Sequence, residues 1–289
     1  MSKRLSWPGR LWRVAATAIA FFTFGIGGLV LGIVVFPLLN LLVRSPERRG
    51  HWARGFIGTL FRLFIGWMRL LGLVTYELHG LERLRRQGLL VLANHPTLID
   101  VVFLIGLVPN ANCVVKSTLA THPCTRGPVR ATGYICNNSG SDLLQNCVDA
   151  LTAGGNLIIF PEGTRTRPGQ TLTMQRGAAQ IAVRAALDIT PVHIHCEPLG
   201  LYKGQPWWRV AEQPLHFSIR VAEDMPTAPF LEATGGEASL AARRLTEHLV
   251  RYFSRNLNNQ NLISGSHASA GERNQGVANL GTPAGGPES

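Results

Sequence analysis

The sequence predicts an α/β domain with a mostly parallel sheet, preceded by a helical membrane anchor. Two observations carry that expectation. Val14–Val43 is a run of thirty residues without a charge. From about Tyr76 onward, short apolar runs alternate with helix-length amphipathic stretches, the pattern of strands joined by crossover helices. The chain has 289 residues, enough for one sizeable domain with additions, and no internal repeat interrupts it. The expected division is an anchor over 1–75, a domain over 76–261 and a disordered tail over 262–289.

The elements follow in order. A helix over Val14–Val43 reaches about 45 Å, longer than the ~30 Å hydrocarbon core. It is too long for a signal-peptide core and lacks a small-residue cleavage site. Gly25, Gly27, Gly28, Gly32 and Pro37 offer places to bend, and basic residues flank both ends. A tilted single span and a re-entrant hairpin with both ends cytoplasmic both fit. Residues 52–71 repeat Phe56, Ile57, Leu60, Phe61, Phe64 and Met68 at helical spacing, interrupted by Arg54, Arg62 and Arg69. That pattern predicts a helix lying in the membrane interface, aromatics down and arginines toward headgroups.

Within the domain, strands are expected at Leu89–Ala93, Cys113–Lys116, Tyr134–Cys136, Asn156–Phe160, Thr190–His195 and His216–Val221. Helices are expected at Leu98–Gly106, Asp142–Ala153, Arg176–Leu187 and Ala238–Asn256. Gly154-Gly155 suits a helix stop. From Leu262 the chain turns to Gly, Ser, Ala, Asn and Pro with few bulky apolar residues, a disorder composition.

Charge separates the partner classes. Lys and Arg number 28 against 17 Asp and Glu, net +11. Thirteen of the cations but three of the anions fall in residues 1–86, so that segment carries +10 and the remainder +1. Excess charge beside an apolar segment points to an anionic membrane surface. No basic stripe with interleaved aromatics follows, which argues against nucleic acid. The five cysteines form no C-x-x-C pair and read as reduced thiols in a cytosol-facing domain. His193 and His195 share one face of a strand, but a strand buried in a sheet is a poor place to begin a zinc site, so no metal is expected.

Two stretches carry chemistry. In Leu90–Phe103 an apolar strand stops at Asn94-His95-Pro96 and a helix begins. His95 then sits at the carboxyl end of a strand, where open α/β sheets place their sites. Pro96 suits a first helical turn. Asp100, about a turn further on, can bond one imidazole nitrogen and leave the other as an acceptor. That is the base-and-orienter half of a triad. No G-x-S-x-G and no suitable cysteine supplies a nucleophile, so a substrate hydroxyl is the simplest one. In Ile158–Thr166 a buried strand runs into Pro161-Glu162-Gly163-Thr164-Arg165-Thr166, a loop suited to an anionic or polyol ligand. The Trp207-Trp208 pair beside Arg209 reads as a loop, in contact with substrate or membrane, or simply packed.

Together, in this order and about sixty residues apart, the stretches resemble the lysophosphatidic acid (1-acyl-sn-glycerol-3-phosphate) acyltransferase family. The Asn-His, four residues, Asp hallmark is Asn94-His95 to Asp100, and Phe-Pro-Glu-Gly-Thr-Arg-Ser is Phe160 to Thr166. Arg176-Gly177 and Ile189-Thr190-Pro191-Val192 complete the set, and the resemblance spans roughly residues 76 to 200. It implies a glycerolipid-acyltransferase-like domain on the cytoplasmic side of the inner membrane. His95 would be the base and Asp100 its orienter. Asn94, Glu162, Gly163, Thr164, Arg165, Lys116, Arg130 and Arg176 would hold substrate. The donor would be an acyl-carrier protein or coenzyme A thioester, with no cofactor or metal. One block departs from the family. An arginine that binds the acceptor phosphate is replaced in Gly133-Tyr134-Ile135-Cys136-Asn137-Asn138. Asn lacks a guanidinium's charge and fork. The alternatives are therefore an acceptor without that phosphate, such as a lyso-ornithine lipid or the lipid of a secondary metabolite, or a thioesterase or lipase using the same pair. A catalytically silent lipid-binding protein is the third class.

Overall fold

The strand-like runs fold as the alternation requires. The computed structural model describes residues 7–137, 142–167 and 169–273, with side chains as far as residue 256. Among the described residues, seven strands form one sheet: β1 (Val74–His79), β2 (Leu90–Ala93), β3 (Ala111–Val115), β4 (Ile135–Cys136), β5 (Asn156–Ile159), β6 (Ile189–Glu197) and β7 (Leu215–Val221). Their order is β1-β7-β6-β2-β5-β3-β4. β2 runs parallel to β5 and β6, β3 parallel to β5 and β4, and β1 parallel to β7; β6 and β7 are antiparallel. The mostly parallel sheet is as expected. β1 was not expected from the sequence, although Val74, Tyr76 and Leu78 alternate with polar residues as a half-buried strand requires.

Helices cover both faces of the sheet. In the buried strand β2, Val91 and Ala93 join one apolar cluster and Leu90 and Leu92 the other. The Val91 face packs under α3 (Pro46–Leu70) and α4 (Asp100–Leu107). The Leu90 face packs on α7 (Asp142–Thr152), α8 (Gly177–Ala185) and α10 (Ala238–Arg273). The short α5 (Ser117–Thr121) and α6 (Pro123–Thr132) connect β3 to β4, and α9 (Ala228–Glu232) precedes α10. α5 and α6 escaped the sequence reading because Pro123, Gly127 and Pro128 look like loop residues. Pro123 in fact sits at a helix start, where its missing N–H costs nothing.

The charge-free run is α1 (Trp7–Val30), a π-helical turn (Leu31–Val35) and α2 (Phe36–Leu42). Together they make one helix of 36 residues, long and apolar enough to cross a membrane. The wide turn lies just before Pro37, which lacks the N–H that would bond Ile33. α1 runs antiparallel to α3, with the Phe24 ring 6.0 Å from Phe61 and 5.6 Å from Phe64. It also lies against α6. A Cβ on Gly28 would run into the Cys124 carbonyl, and one on Gly127 into Gly32. Pro128 has no N–H to bond Cys124 as a helix normally would, so that carbonyl is left facing α1.

Two expectations are corrected. α3 starts at Pro46 rather than near Trp52, because Ser45 accepts from the Arg48 N–H and Glu47 suits the first turn. Its arginines do not all turn outward. Arg54 donates to Asn110 Oδ1 at 3.0 Å and to the Thr132 carbonyl at 3.0 Å, and Arg62 donates to the Gly106 carbonyl at 3.2 Å. Each satisfies acceptors in or near helix C-termini, which carry unpaired carbonyls and partial negative charge. Arg69 lies 5.4 Å over the Tyr76 ring. The apolar face is shared likewise: Ile57, Ile65 and Met68 are buried, while Trp52, Leu63 and Leu70 are exposed. At the other end, α10 continues to Arg273, past the tail boundary expected at 262. Residues 274–289 of that tail lie outside the described residues.

Candidate active site

Parallel strands end together, and that is what assembles the site. β2, β5, β3 and β4 are neighbours in the sheet, so the segments leaving their carboxyl ends share one edge. His95 follows β2, Glu162–Arg165 follow β5, Lys116 follows β3 and Asn137 follows β4.

His95 Nδ1 lies 2.9 Å from Asp100 Oδ2. The carboxylate is fully buried and the imidazole side chain 17% exposed. With Asp100 on Nδ1, Nε2 is the nitrogen left to accept a proton at the cleft. Asp100 also accepts from the Thr97 N–H at 2.6 Å and the Thr97 hydroxyl at 2.5 Å. Burial pushes its carboxyl above the usual range, while the bonds from His95 and Thr97 pull the other way. Three donors fix the carboxylate before any substrate arrives. The imidazole stacks on Phe160, ring centroids 4.2 Å apart. Thr97 and Phe160 were missed in the sequence; an acceptor-donor pair three residues apart at a helix start was the signal for Thr97.

The second loop is tied to the first. Glu162 Oε1 accepts from the His95 N–H at 2.7 Å, Thr166 donates its hydroxyl to Oε2, and the Thr166 N–H reaches the His95 carbonyl at 3.3 Å. Burial pushes the Glu162 carboxyl up, against the Thr166 and His95 bonds. Gly163 takes φ +67°, a left-handed turn that favours glycine. Arg165 Nη1 donates to the Leu201 carbonyl at 2.9 Å; burial lowers its pKa and the nearby Asp100 opposes that.

Several expected substrate contacts have other work. Asn94 is buried, donating to the Ile194 carbonyl at 2.7 Å and accepting from the Ile194 N–H at 2.8 Å. It staples β2 to β6. Both Glu162 oxygens are occupied, so this carboxylate positions the His95 loop instead of reaching outward. Arg130 is in the last turn of α6, which leads into the amino end of β4, away from the edge that holds His95. A crossover helix must return the chain to the start of the next parallel strand, and that carries Arg130 off. Thr164 is half-buried in the Glu162 loop. Lys116 and Arg176 are exposed. Arg176 follows Gln175, whose N–H bonds the Pro161 carbonyl at 2.7 Å, so it stays beside the loop. Asn137 Oδ1 accepts from the Ser117 N–H at 3.1 Å; Asn138 lies outside the described residues. His193 is buried against Tyr252 and Phe253, with Nε2 3.2 Å from the Tyr252 hydroxyl. No cluster of three His, Cys, Asp or Glu residues fit for a metal occurs among the described residues.

A cavity of about 610 Å³ adjoins the site, and no single motif signals it. α1, α3, α4, α6 and the segment 200–215 wall it, almost entirely with apolar atoms. Leu98, Ile99 and Leu201 in its wall lead directly from the His95 and Arg165 neighbourhood. The Leu98 N–H bonds the Leu201 carbonyl at 3.1 Å. Trp207, 6.2 Å from Phe21, belongs to this wall, and Trp208 is exposed beside it.

Comparisons with known proteins agree with this geometry. Residues 75–195 match the Acyltransferase family model. The chain is 27% identical over 169 residues to a 1-acyl-sn-glycerol-3-phosphate acyltransferase of Pseudomonas aeruginosa, covering 56% of this chain and 62% of that one. It is 30% identical over 130 residues to the enzyme of the same name from Helicobacter pylori, covering 40% and 55%. The matched segments thus span a little over half of these relatives. The crystal structure of the 1-acyl-sn-glycerophosphate acyltransferase PlsC from Thermotoga maritima has the same fold, with a TM-score of 0.62 at 20% identity over 84% of this chain and 96% of that one.

Proposed function

We propose that this chain, which carries an acyltransferase-family segment and resembles the lysophosphatidic acid acyltransferases, moves an acyl group from a thioester to the hydroxyl of a lysolipid. One observation carries the reading: the His95–Asp100 pair is fixed at 2.9 Å beside a large apolar cavity. A base, an orienter and a place for a hydrocarbon chain are what such a transfer needs.

The acceptor hydroxyl gives its proton to His95 Nε2, and Asp100 steadies the resulting imidazolium. The oxygen attacks the thioester carbonyl. Backbone N–H groups near the two loops take the oxyanion. The C–S bond then breaks, and the thiolate of coenzyme A or acyl-carrier protein leaves with the proton from His95. The acyl chain lies in the cavity, and Arg165, Lys116 and Arg176 attract the acceptor headgroup. No metal or cofactor enters the scheme. α1–α2 and the exposed apolar face of α3 hold the protein at the inner membrane, with the domain on the cytoplasmic side.

Purified protein in detergent, given labelled acyl-coenzyme A and 1-acylglycerol-3-phosphate, is expected to form the diacyl product. His95→Ala is expected to abolish it, and wild-type turnover in that variant would falsify the scheme. Free fatty acid as the sole product would favour a hydrolase. A second acceptor class is favoured by Asn137, whose side-chain oxygen is engaged at the Ser117 N–H where relatives of this kind are expected to hold an arginine. Comparing 1-acylglycerol-3-phosphate with a lyso-ornithine lipid as acceptors separates the two.

A further inference from the structure

Two cations stand in the wall of the apolar cavity, Arg13 and Arg209, and no carboxylate does. Arg13 is half-buried on α1, and Arg209 is exposed in the segment that leads into β7. Neither side chain has a hydrogen-bond or ion-pair partner among the described residues; Glu212, the acid nearest Arg209 in the chain, forms no pair with it. Cations that line an apolar cavity with no counter-charge from the chain are open to an anionic group on a ligand.

The two arginines share one end of the cavity. Trp12 Nε1 donates to the Leu71 carbonyl at 3.3 Å, which sets the start of α1 against the end of α3. The Leu215 N–H bonds the Leu73 carbonyl at 2.9 Å, so the segment entering β7 meets the same corner. Trp207 packs on Phe21, ring centroids 6.2 Å apart. Residues 207–215 therefore follow α1 from Phe21 back toward Arg13, with Arg209 on the way. Thr17, one turn after Arg13, and Gln213 line the same end.

Distance from the base selects the anion. Ala93 pairs with Val192, so His95 is level with Ile194 on β6. Glu197 pairs with His216, and Leu215 comes one residue earlier on β7. The Leu215 corner is thus about four residues beyond the base along the strands and two strand spacings to its side, about 16 Å away. In a 1-acylglycerol-3-phosphate the phosphorus is about 5 Å from the hydroxyl that attacks, too close to the base to reach that corner. In a coenzyme A or acyl-carrier-protein thioester, the phosphorus at the end of the pantetheine arm is about 16 Å from the carbonyl when extended. Lys116, Arg165 and Arg176 belong to the segments after β3 and β5, on the other side of β2.

We propose that Arg13 and Arg209 bind the phosphate of the donor's phosphopantetheine arm, the part that coenzyme A and acyl-carrier protein share. The inference rests on the acyl-transfer reading of the site and adds a donor subsite to it. The acyl tail runs from the base toward the Leu31 and Ile57 end of the cavity, and the arm runs toward the arginines. Donor and acceptor phosphates then occupy opposite flanks of His95.

The test compares donors on the purified full chain in detergent. Palmitoyl-4′-phosphopantetheine is expected to exceed palmitoyl-pantetheine, which lacks the phosphate, by about tenfold in kcat/KM. The double variant Arg13→Gln with Arg209→Gln is expected to bring that ratio toward one. The preference for 1-acylglycerol-3-phosphate over 1-acylglycerol as acceptor is expected to stay as in the wild type. No donor preference in the wild type, or one that survives the double variant, overturns the proposal. A collapse of the acceptor preference instead assigns these arginines to the acceptor phosphate and overturns it too. Arg209→Gln alone, at an exposed position, is expected to lower the donor ratio partway, and it carries the test if the double variant does not fold. If no donor is turned over, the proposed function fails and the subsite is read by binding. S-hexadecyl-4′-phosphopantetheine is then expected to bind about tenfold more tightly than S-hexadecyl-pantetheine in the wild type and equally in the double variant. Equal binding of the two thioethers to the wild type overturns the proposal.

Discussion

On one face of the sheet, Leu90, Leu92 and Leu157 meet Leu245, Leu249 and Phe253 of α10, all of them almost wholly buried. On the other face, Val91, Ala93 and Ile158 lie under α3 and α4, and α1 roofs a cavity of about 610 Å³ beyond them. Both faces are apolar in sequence. One is filled by the chain itself, and the other leaves a cavity. Space left in a core costs stability, because its lining atoms lose contacts. That space lies beside a cluster of buried polar groups, Asn94, Thr97, Asp100 and Glu162, around His95. The difference separates residues that hold the fold from residues that serve the site.

The largest expected effect tests that cluster. Asp100→Asn presents an amide N–H to His95 and fixes the wrong tautomer, so acyl transfer is expected to fall by about 10²–10⁴-fold. A circular dichroism spectrum and melting curve like the wild type's would place the loss in chemistry. Next come the two faces themselves. Phe253→Ala on the filled face is expected to cost about 3–5 kcal/mol in urea unfolding. Phe64→Ala, half-buried at the cavity wall, is expected to cost less than half as much yet change which acyl lengths are used. Equal costs would erase the distinction between the faces.

A smaller effect concerns the roof. Gly127→Val puts a side chain where Gly32 approaches and is expected to cost about 1–3 kcal/mol while prying α1 from α6. Limited proteolysis of α1 measures the release. Of similar size is a pH dependence. Burial, helped by Arg220, pushes His193 down to about 4 from its ordinary 6.5. As pH falls from 6.5 toward 4, the unfolded chain gains a proton that the folded chain refuses. Stability is therefore lost on acidification, up to about 3 kcal/mol from this group. Urea midpoints at pH 7 and pH 4.5 should converge in His193→Gln relative to the wild type. His193 and His95 stand one strand apart, and the carboxylate partner is what makes only one of them a base.

Much of the site was legible because its residues are local in sequence. His95 and Asp100 are one helical turn apart, and Glu162 through Arg165 leave a single strand. What each does was less legible. Asn94 and Glu162 read as substrate contacts, yet their bonds run to Ile194 and to the His95 and Thr166 groups. Those partners come from other strands or loops, and nothing in a local motif reveals them. Arg54 and Arg62 look like headgroup contacts for the same reason: their acceptors at Asn110, Thr132 and Gly106 are brought near only by packing.

By itself, then, the sequence determined what short-range physics governs: the charge-free helix, the alternation that makes a parallel sheet, and a His/Asp pair at a strand's end. The tertiary structure decided what depends on distant segments meeting. It brought the carboxyl ends of β2, β5, β3 and β4 to one edge, turned two arginines inward, and closed the cavity with α1 and Tyr134. Periodicity and spacing record local geometry, whereas a cavity is the space that separate elements leave unfilled, and no single stretch of chain encodes it.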